Sequence, residues 1–515
     1  MRFNALEVTA CILAHISMIC GAPHISGEVG SRLSRGKSLG KRHGAKHTIV
    51  KHNATGSEFD FVTNSGICET TPGVNQYSGY FSVGSNISYF FWFFEARHSP
   101  EHAPLVAWFN GGPGCSSMMG LLQANGPCQF YNGSSTPSPN PYSWNEYANM
   151  LYIDQPAGVG FSYQSDQTNS SVTCDDEGYC KPSGVINTTV EVNSTVAAAP
   201  FVWKFVQAFF AQFPQYENRD FGIFTESYGG HYGPGFAHYF EQQNEEIARG
   251  TLVGQKVNLV ALGINNGWYD ATIQERQGVE FYFKNSYYPL INESIYKSMV
   301  EGYNDLCLPA LKNCTSAAGS ALDDACMEAN IQCNKGVDDL ALDAIDSSIF
   351  AYDIRQSSKD STKFTPPATF AIWLSEPAIM EAIGAKGSFI LCSDRVEEQF
   401  ISTGDDARSL LPELSEVVKS GVNTLIWAGD ADMVCDWVGN LAVAEAVEYP
   451  DIHVFKYKEV KNYTVNGVVS GTYKTEGQLN WLRVFESGHS VSYYQPELAL
   501  QVFKQVMKGR PIHST

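Results

Sequence analysis

Short apolar runs that end on glycine-rich turns recur along the chain. APLVAWFN (residues 103–110) runs into GGPG, NMLYI (149–153) into DQPAGVG, and FGIF (221–224) into TESYGG. Such runs, bounded by turn residues, predict strands. Before the third of them, VAAAPFVWKFVQAFFAQFP (196–214) carries aromatic residues at helical spacing. Strand, loop, helix, strand is the pattern of a parallel α/β sheet. From residue 271 to 387 the pattern changes to a helix-prone stretch with four cysteines and no glycine-ended strand. VNTLIWAGDADMVCDWVGN (422–440) then resumes it. The reading is an α/β core built from residues 53–270 and 388–515, with residues 271–387 inserted as a helical cap.

A polar stretch from 165 to 195 holds three Asn-X-Ser/Thr sequons and a short Cys174–Cys180 loop, and reads as a surface excursion. Residues 1–20, MRFNALEVTACILAHISMIC, resemble a secretory signal. Residues 21–52 are basic and contain the pair Lys41-Arg42, as in a propeptide ending at a dibasic processing site. The whole chain carries a net charge of -20, which argues against nucleic acid or an anionic membrane as partner. Nine sequons, at Asn53, Asn86, Asn132, Asn169, Asn187, Asn193, Asn292, Asn313 and Asn462, fit passage through the secretory route. Of 13 cysteines, Cys11 and Cys20 fall in the signal, and the odd remainder predicts five bridges with one free thiol. Cys307, Cys314, Cys326 and Cys333 are spaced symmetrically, which suits the nested pairs Cys307–Cys333 and Cys314–Cys326 among three possible connectivities. No hydrophobic tail of an anchor signal ends the chain, so release into the medium is expected rather than a vacuolar destination.

Ser227 lies where a nucleophile elbow would place it, between a strand and a glycine pair, although Thr225 replaces the leading glycine of G-x-S-x-G. A serine hydroxyl needs a base to take its proton and a carboxylate to orient that base. Asp430 and Asp432 follow one predicted strand, and His489 follows another in WLRVFESGHSVSYYQP (481–496). Serine, acid and histidine thus stand in the chain order of α/β-hydrolases. Asn110-Gly111-Gly112-Pro113-Gly114 offers a loop whose backbone N–H groups could face a developing oxyanion, with Gly112 and Tyr228 as donors. The chain contains no H-E-x-x-H, zinc-like or phosphate-loop pattern, and no metal or cofactor is implied.

WFNGGPGCSS (108–117), NPYSWNEYANMLYIDQPAGVGFSY (140–163), TESYGGHYGP (225–234), AGDADMVCDWVGN (428–440) and SGHSVSYYQP (487–496) closely resemble the serine carboxypeptidases, above all the secreted fungal ones. The resemblance runs from about Cys68 to the end of the chain. It implies an α/β-hydrolase core with a helical cap, and a triad of Ser227, Asp432 and His489, with Asp430 structural. It assigns Asn110, Gly111 and Glu226 to the substrate's terminal carboxylate, and Trp108, beside them, together with Cys435 and Ser490 to the lining of the substrate pocket. It pairs Cys68 with Cys128 and Cys115 with Cys392, and leaves Cys435 as the free thiol. Two carboxyl groups share a hydrogen bond only when one is protonated, so Glu226 is expected to bind peptide best in acid. Two departures stand out: Ala124 where many relatives carry a Glu, and Ser490-Val491-Ser492 where they often read Met-Val-Pro or Glu-Val-Pro. His231 is expected to pack under the elbow helix, Met118 and Met119 in the core or pocket wall, and Asp154 to fix a loop. The reading is a secreted serine carboxypeptidase acting on peptide and protein C-termini. An esterase or acyltransferase on the same scaffold is the enzyme alternative, and a silent peptide-binding glycoprotein the non-enzyme one.

Overall fold

The computed structural model describes residues 46–51, 58–84, 86–131, 134–165, 171–174, 180–183, 192–359 and 366–515. Twelve strands make the continuous path of its main sheet: β1 (Lys46–Lys51), β2 (Glu58–Thr63), β3 (Gln76–Gly84), β4 (Ile87–Phe94), β5 (Leu105–Phe109), β6 (Asn149–Ile153), β7 (Asp220–Glu226), β8 (Asn258–Asn265), β9 (Asn423–Gly429), β10 (Lys461–Val465), β11 (Val468–Glu476) and β12 (Leu479–Val484). They lie in the order β1-β2-β3-β4-β6-β5-β7-β8-β9-β12-β11-β10, and Tyr163–Gln164 pairs with β4 off this path. The six central strands from β6 to β12 are parallel. The outer strands are antiparallel, so the sheet is parallel at its centre and mixed overall. Short connections such as the one from β3 to β4 permit only antiparallel pairing, whereas parallel neighbours need a crossover.

The central strands read as unbroken apolar runs because helices cover both of their faces. Along β5, Leu105, Ala107 and Phe109 join the core on one side, while Val106 and Trp108 join the core on the other. On the first side lies α1 (Thr195–Gln212), whose start is capped by Ser194 accepting from Ala197 N. Phe205 and Phe209 of α1 pack against Phe81, Phe91 and Phe93, with ring centroids 5.1–6.3 Å apart. On the second side Phe503, from the helix Pro496–Met507, stacks on Trp144 at 4.2 Å. β7 leads into α2 (Gly229–Arg249), so the chain turns from strand to helix within two residues.

Between β8 and β9 the chain forms the helices α3 (Ala271–Phe283), α4 (Glu293–Gly302), α5 (Leu308–Ser316), α6 (Leu322–Cys333) and α7 (Asp339–Ala344). These enclose a small core of their own that includes Val279, Met299, Tyr303 and Leu311. The insertion is not wholly helical. Ile349–Phe350 and Asp353–Ser357 pair as a short hairpin, and the carbonyl of Tyr352 in its turn accepts from His489 N at 2.9 Å. Disulfides join Cys307 to Cys333 and Cys314 to Cys326 inside the insertion, and Cys68 to Cys128 and Cys115 to Cys392 in the core. Strands Ser171–Cys174 and Cys180–Ser183 pair with Cys174 opposite Cys180, but their side chains, and with them that predicted bridge, lie outside the described residues.

Residues 46–51, placed by sequence in the leading basic segment, form β1 on the sheet edge. A boundary at residue 52 would strip β1 from the sheet; one at Lys41-Arg42 would leave it paired. Asn86, Asn292, Asn313 and Asn462 are exposed and Asn193 is half-buried, whereas Asn53, Asn132, Asn169 and Asn187 lie outside the described residues. Among the described residues no helix is long and apolar enough to cross a membrane.

Candidate active site

Five parallel strands, β5, β7, β8, β9 and β12, end side by side, and each delivers part of the site. β7 ends at Glu226, and Ser227 follows with φ +66°, a left-handed conformation that costs a residue with a Cβ roughly 1–2 kcal/mol. Hydrogen bonds hold it there. Ser227 N donates to Asn265 O at 3.0 Å, and Ser227 O accepts from Gly230 N at 2.9 Å and Trp268 N at 3.0 Å. A Cβ on Gly230 would lie 2.4 Å from Trp268 O, so the turn closes only on glycine. Thr225 adds a stitch of its own, its hydroxyl donating to Gly229 O at 2.9 Å. His231 lies one turn into α2, fully buried, with its ring nitrogens 2.6 Å and 3.1 Å from Trp268 O and Arg408 O.

Asp432 follows β9 and His489 follows β12. His489 Nδ1 donates to Asp432 Oδ2 at 2.7 Å. Burial alone would depress the imidazole pKa, but the Asp432 carboxylate, its hydrogen bond and the charge of Glu226 outweigh it and raise the value. Asp430 points elsewhere. It accepts from Tyr287 Oη at 2.6 Å and from Arg483 at 3.0 Å, tying the insertion to the core.

The loop after β5 packs directly on the elbow. A Cβ on Gly111 would sit 2.4 Å from Tyr228 N, and Gly112, at φ +113°, would bring one to 2.7 Å from the N of Gly114 and of Cys115. Cys115–Cys392 anchors the loop from one side. From the other, Asp154 accepts from Ser116 Oγ at 2.6 Å, Ser117 N at 3.0 Å and Phe161 N at 3.0 Å. Gly112, Ser227, Tyr228, Phe400, Val434 and Cys435 are among the residues lining a cavity of about 190 Å³. Tyr228 is the N-cap of α2, so its backbone N–H lies at the positive end of a helix. Met118 is buried in the core and Met119 packs against it.

Glu226 is 4% exposed. Its Oε1 accepts from Asn110 Nδ2 and from Ser490 Oγ, both at 3.2 Å, while Oε2 has no partner among the described residues. Burial pushes its pKa up to about 7, against the opposing pull of His489, Ser490 and Asn110. Asn110 is itself oriented, because its Oδ1 accepts from Trp108 Nε1 at 2.7 Å and Gly120 N at 2.9 Å. Trp108, expected to line the pocket, is instead 1% exposed and packed on Trp144. Its indole N–H is committed to Asn110, so it lies beneath the site and acts through that residue. Ala124 is buried in the turn Gly120–Asn125. Cys435 is buried and, among the described residues, a free thiol; burial pushes its pKa well above the usual value, with Asp432, Asp436 and Glu226 adding to the shift.

Sequence reasoning passed over Asn265, which ends β8, and Asn266, which follows it, between the serine and the acid. Both are buried completely. Asn265 Nδ2 donates to His489 O at 2.6 Å, and Asn266 Nδ2 donates to Asp432 Oδ2 at 2.9 Å. The available signal was two amides closing the apolar run NLVALGI at the same strand end that carries the other site residues.

A sequence profile of the serine carboxypeptidases matches residues 66–509. Carboxypeptidase S1 of Penicillium janthinellum is 52% identical over 455 residues, 88% of this chain and 100% of that protein. Carboxypeptidase S1 homolog A of Arthroderma otae is 35% identical over 87% of this chain and 75% of its own length. A solved prohormone-processing carboxypeptidase from Saccharomyces cerevisiae superposes with a TM-score of 0.68 over 88% of this chain and 96% of its own. At 21% identity that likeness speaks to the shared α/β-hydrolase fold. With the match spanning both halves of the core and the insertion between them, the chain belongs to the serine carboxypeptidase family, hydrolases that act on peptide C-termini.

Proposed function

We propose that this protein is a secreted, glycosylated exopeptidase that removes the C-terminal residue of peptides and proteins in acid, with Ser227, His489 and Asp432 as its triad. The observation that carries the reading is Glu226, a buried carboxyl adjoining the elbow serine, with one oxygen unpartnered among the described residues and burial pushing its pKa up to about 7. Below that pH Glu226 is protonated and can donate to a substrate carboxylate, as Asn110 Nδ2 and Gly111 N also can. An amide or ester without a free carboxylate gains nothing from these groups. Anchoring the terminal carboxylate beside Ser227 fixes the last peptide bond over the nucleophile, which converts binding into orientation.

Ser227 Oγ then attacks the carbonyl carbon as its proton passes to His489 Nε2. Asp432 holds the Nδ1–H tautomer and stabilises the imidazolium. Backbone N–H groups of Gly112 and Tyr228 receive the oxyanion, and one such donor contributes roughly 10²–10³ in turnover. His489 returns the proton to the leaving amine, and water, activated by the same imidazole, releases the acyl group. Glu226 and His489 are electrostatically coupled: an ionised Glu226 favours imidazolium and a protonated one favours free imidazole. A bound substrate carboxylate stabilises protonated Glu226 and thereby leaves His489 free as base. Cys435 and Ser490 border the substrate and take no part in bond making.

Amino-acid release from a blocked dipeptide tests this between about pH 3 and about pH 8, a span covering carboxyl and imidazole titration. The dipeptide amide and Ser227→Ala serve as controls. Fast release from the free acid in acid solution, slow release from the amide and none from the variant are expected. An intact peptide alongside Ser227-dependent cleavage of simple esters would give the site to an esterase or acyltransferase instead.

A further inference from the structure

We propose that Asn266 is a positioning residue for the reaction, one that fixes the orientation of the Asp432 carboxylate against the imidazole and so the basicity of His489; this rests on the triad reading above. The Asn265-Asn266 dipeptide touches all three triad segments. The backbone oxygen of Asn265 accepts from Ser227 N, and its side chain donates to His489 O and accepts from Val491 N at 3.1 Å. Asn266 meets the acid itself. Its Nδ2 lies 2.9 Å from Asp432 Oδ2, the same oxygen that receives His489 Nδ1. Its Oδ1 accepts from Gly429 N at 2.9 Å and Asn265 Nδ2 at 2.7 Å, which forces the NH₂ end toward the carboxylate.

The alternative is that Asn266 merely fills a polar gap in the fold. Three facts weigh against it. Asn266 adopts φ +41°, a conformation that any residue with a Cβ resists and that asparagine and aspartate tolerate best. Its side chain is wholly buried, where an amide with fewer partners would be costly. And with the N–H groups of Val434 and Cys435 it completes the set of donors that holds both oxygens of the Asp432 carboxylate in place. Without the amide, Asp432 Oδ2 keeps His489 and a longer contact with Cys435 N at 3.2 Å, and can rotate away from the imidazole.

Asn266→Asp distinguishes the two roles. Aspartate fits the same space and backbone. Protonated, its O–H donates to Asp432 and reproduces the missing bond with no change in net charge. Ionised, it sets two carboxylates about 3 Å apart, which raises the pKa of one and keeps His489 protonated. Asn266→Gly removes the side chain and leaves the left-handed backbone unstrained.

The measurement is the rate at which diisopropyl fluorophosphate, a neutral reagent that bypasses the carboxylate site, labels Ser227 across pH. Rates are taken per labelled Ser227, identified by mass spectrometry, so an unfolded fraction lowers the amplitude and not the rate constant. Asn266→Asp is expected to match the natural protein in acid and then to lose rate through an added ionisation as pH rises. Asn266→Gly is expected to be slower at every pH by about ten- to a hundredfold, the worth of one charge-assisted hydrogen bond. An Asn266→Asp profile of unchanged shape, or an Asn266→Gly rate within about twofold of the natural one, would overturn the proposal. Natural protein left unlabelled at Ser227 would overturn the triad reading and this inference with it.

Discussion

Ser490 Oγ donates to Glu226 Oε1 at 3.2 Å, so the residue after the histidine of the His–Asp pair also grips the carboxyl beside Ser227. Asn110 grips the same oxygen at 3.2 Å from the loop after β5, and Ser490 adds a second bond from the histidine loop. That bond favours the ionised carboxyl and offsets part of the burial that raises its pKa.

Ser490→Ala should therefore push the Glu226 pKa further above about 7. The alkaline rise in KM for a peptide with a free carboxylate should move to higher pH, with kcat on its plateau little changed. KM measured across the neutral range decides it; an unmoved midpoint would mean that Ser490 does not tune Glu226.

Glu226→Gln should change two limbs of the pH profile at once. The amide keeps a donor at every pH, so KM should lose its alkaline rise. It also removes a negative charge that raises the His489 pKa, so the acid limb of kcat should move to lower pH. If KM still climbs with pH in this variant, some other group governs carboxylate binding.

Gly112→Ala tests the oxyanion loop. A methyl group there would lie 2.7 Å from two backbone nitrogens at a φ of +113°, so the loop has to move. Cys115–Cys392 and Asp154 hold the loop's other residues in place. The expected result is a fall in kcat of about 10²–10³ at nearly unchanged KM, the loss of one oxyanion donor. A kcat within tenfold of the natural one would remove Gly112 from that role.

The strands that carry the site could be read directly because burial on both faces leaves an unbroken apolar run, and the glycine turns after them are forced by close backbone approach. Ser227, His489 and the pair Asp430 and Asp432 stood out for the same reason, reactive residues at the end of such a run, and the family resemblance chose Asp432 between the two aspartates. What escaped was of another kind. Asn265 and Asn266 are neutral amides with no intrinsic reactivity, and only the flanking strands β7 and β9, with β12 one strand further, show what they bridge. Trp108 was misplaced because a tryptophan beside a site residue can face the substrate or the core, and alternation along β5 buries it. The Tyr352 hairpin was missed because two short strands inside a helical stretch give too few residues for a period-two signal.

Cys435 lines the cavity next to Ser227, and its raised pKa keeps the thiol protonated at working pH. It is then a wall residue that a bulky mercurial can reach and not a second nucleophile. Cys435→Ser should keep most peptidase activity and lose inhibition by mercurials. Full sensitivity in the variant would place the reactive site elsewhere.

The last prediction concerns stability against pH. Burial raises the carboxyls of Asp154, Asp338 and Asp436 to about 7, as it does that of Glu226, and the Glu397 carboxyl to about 8. Each folded-state value lies above the unfolded one, so the folded protein holds more protons between the two. Stability is then greatest below the unfolded carboxyl values and falls as pH rises through about 7 to 8. For the fully buried Asp154 alone the span from 3.8 to about 7 corresponds to about 4 kcal/mol. The melting temperature should drop steadily between about pH 5 and about pH 8, a range set by these carboxyls. Asp154→Asn, which cannot ionise, should flatten part of that slope while lowering the acid-side maximum through its weaker hold on Ser116 and Ser117. A melting temperature that instead rises toward neutral pH would mean that these carboxyls fold in their ionised form.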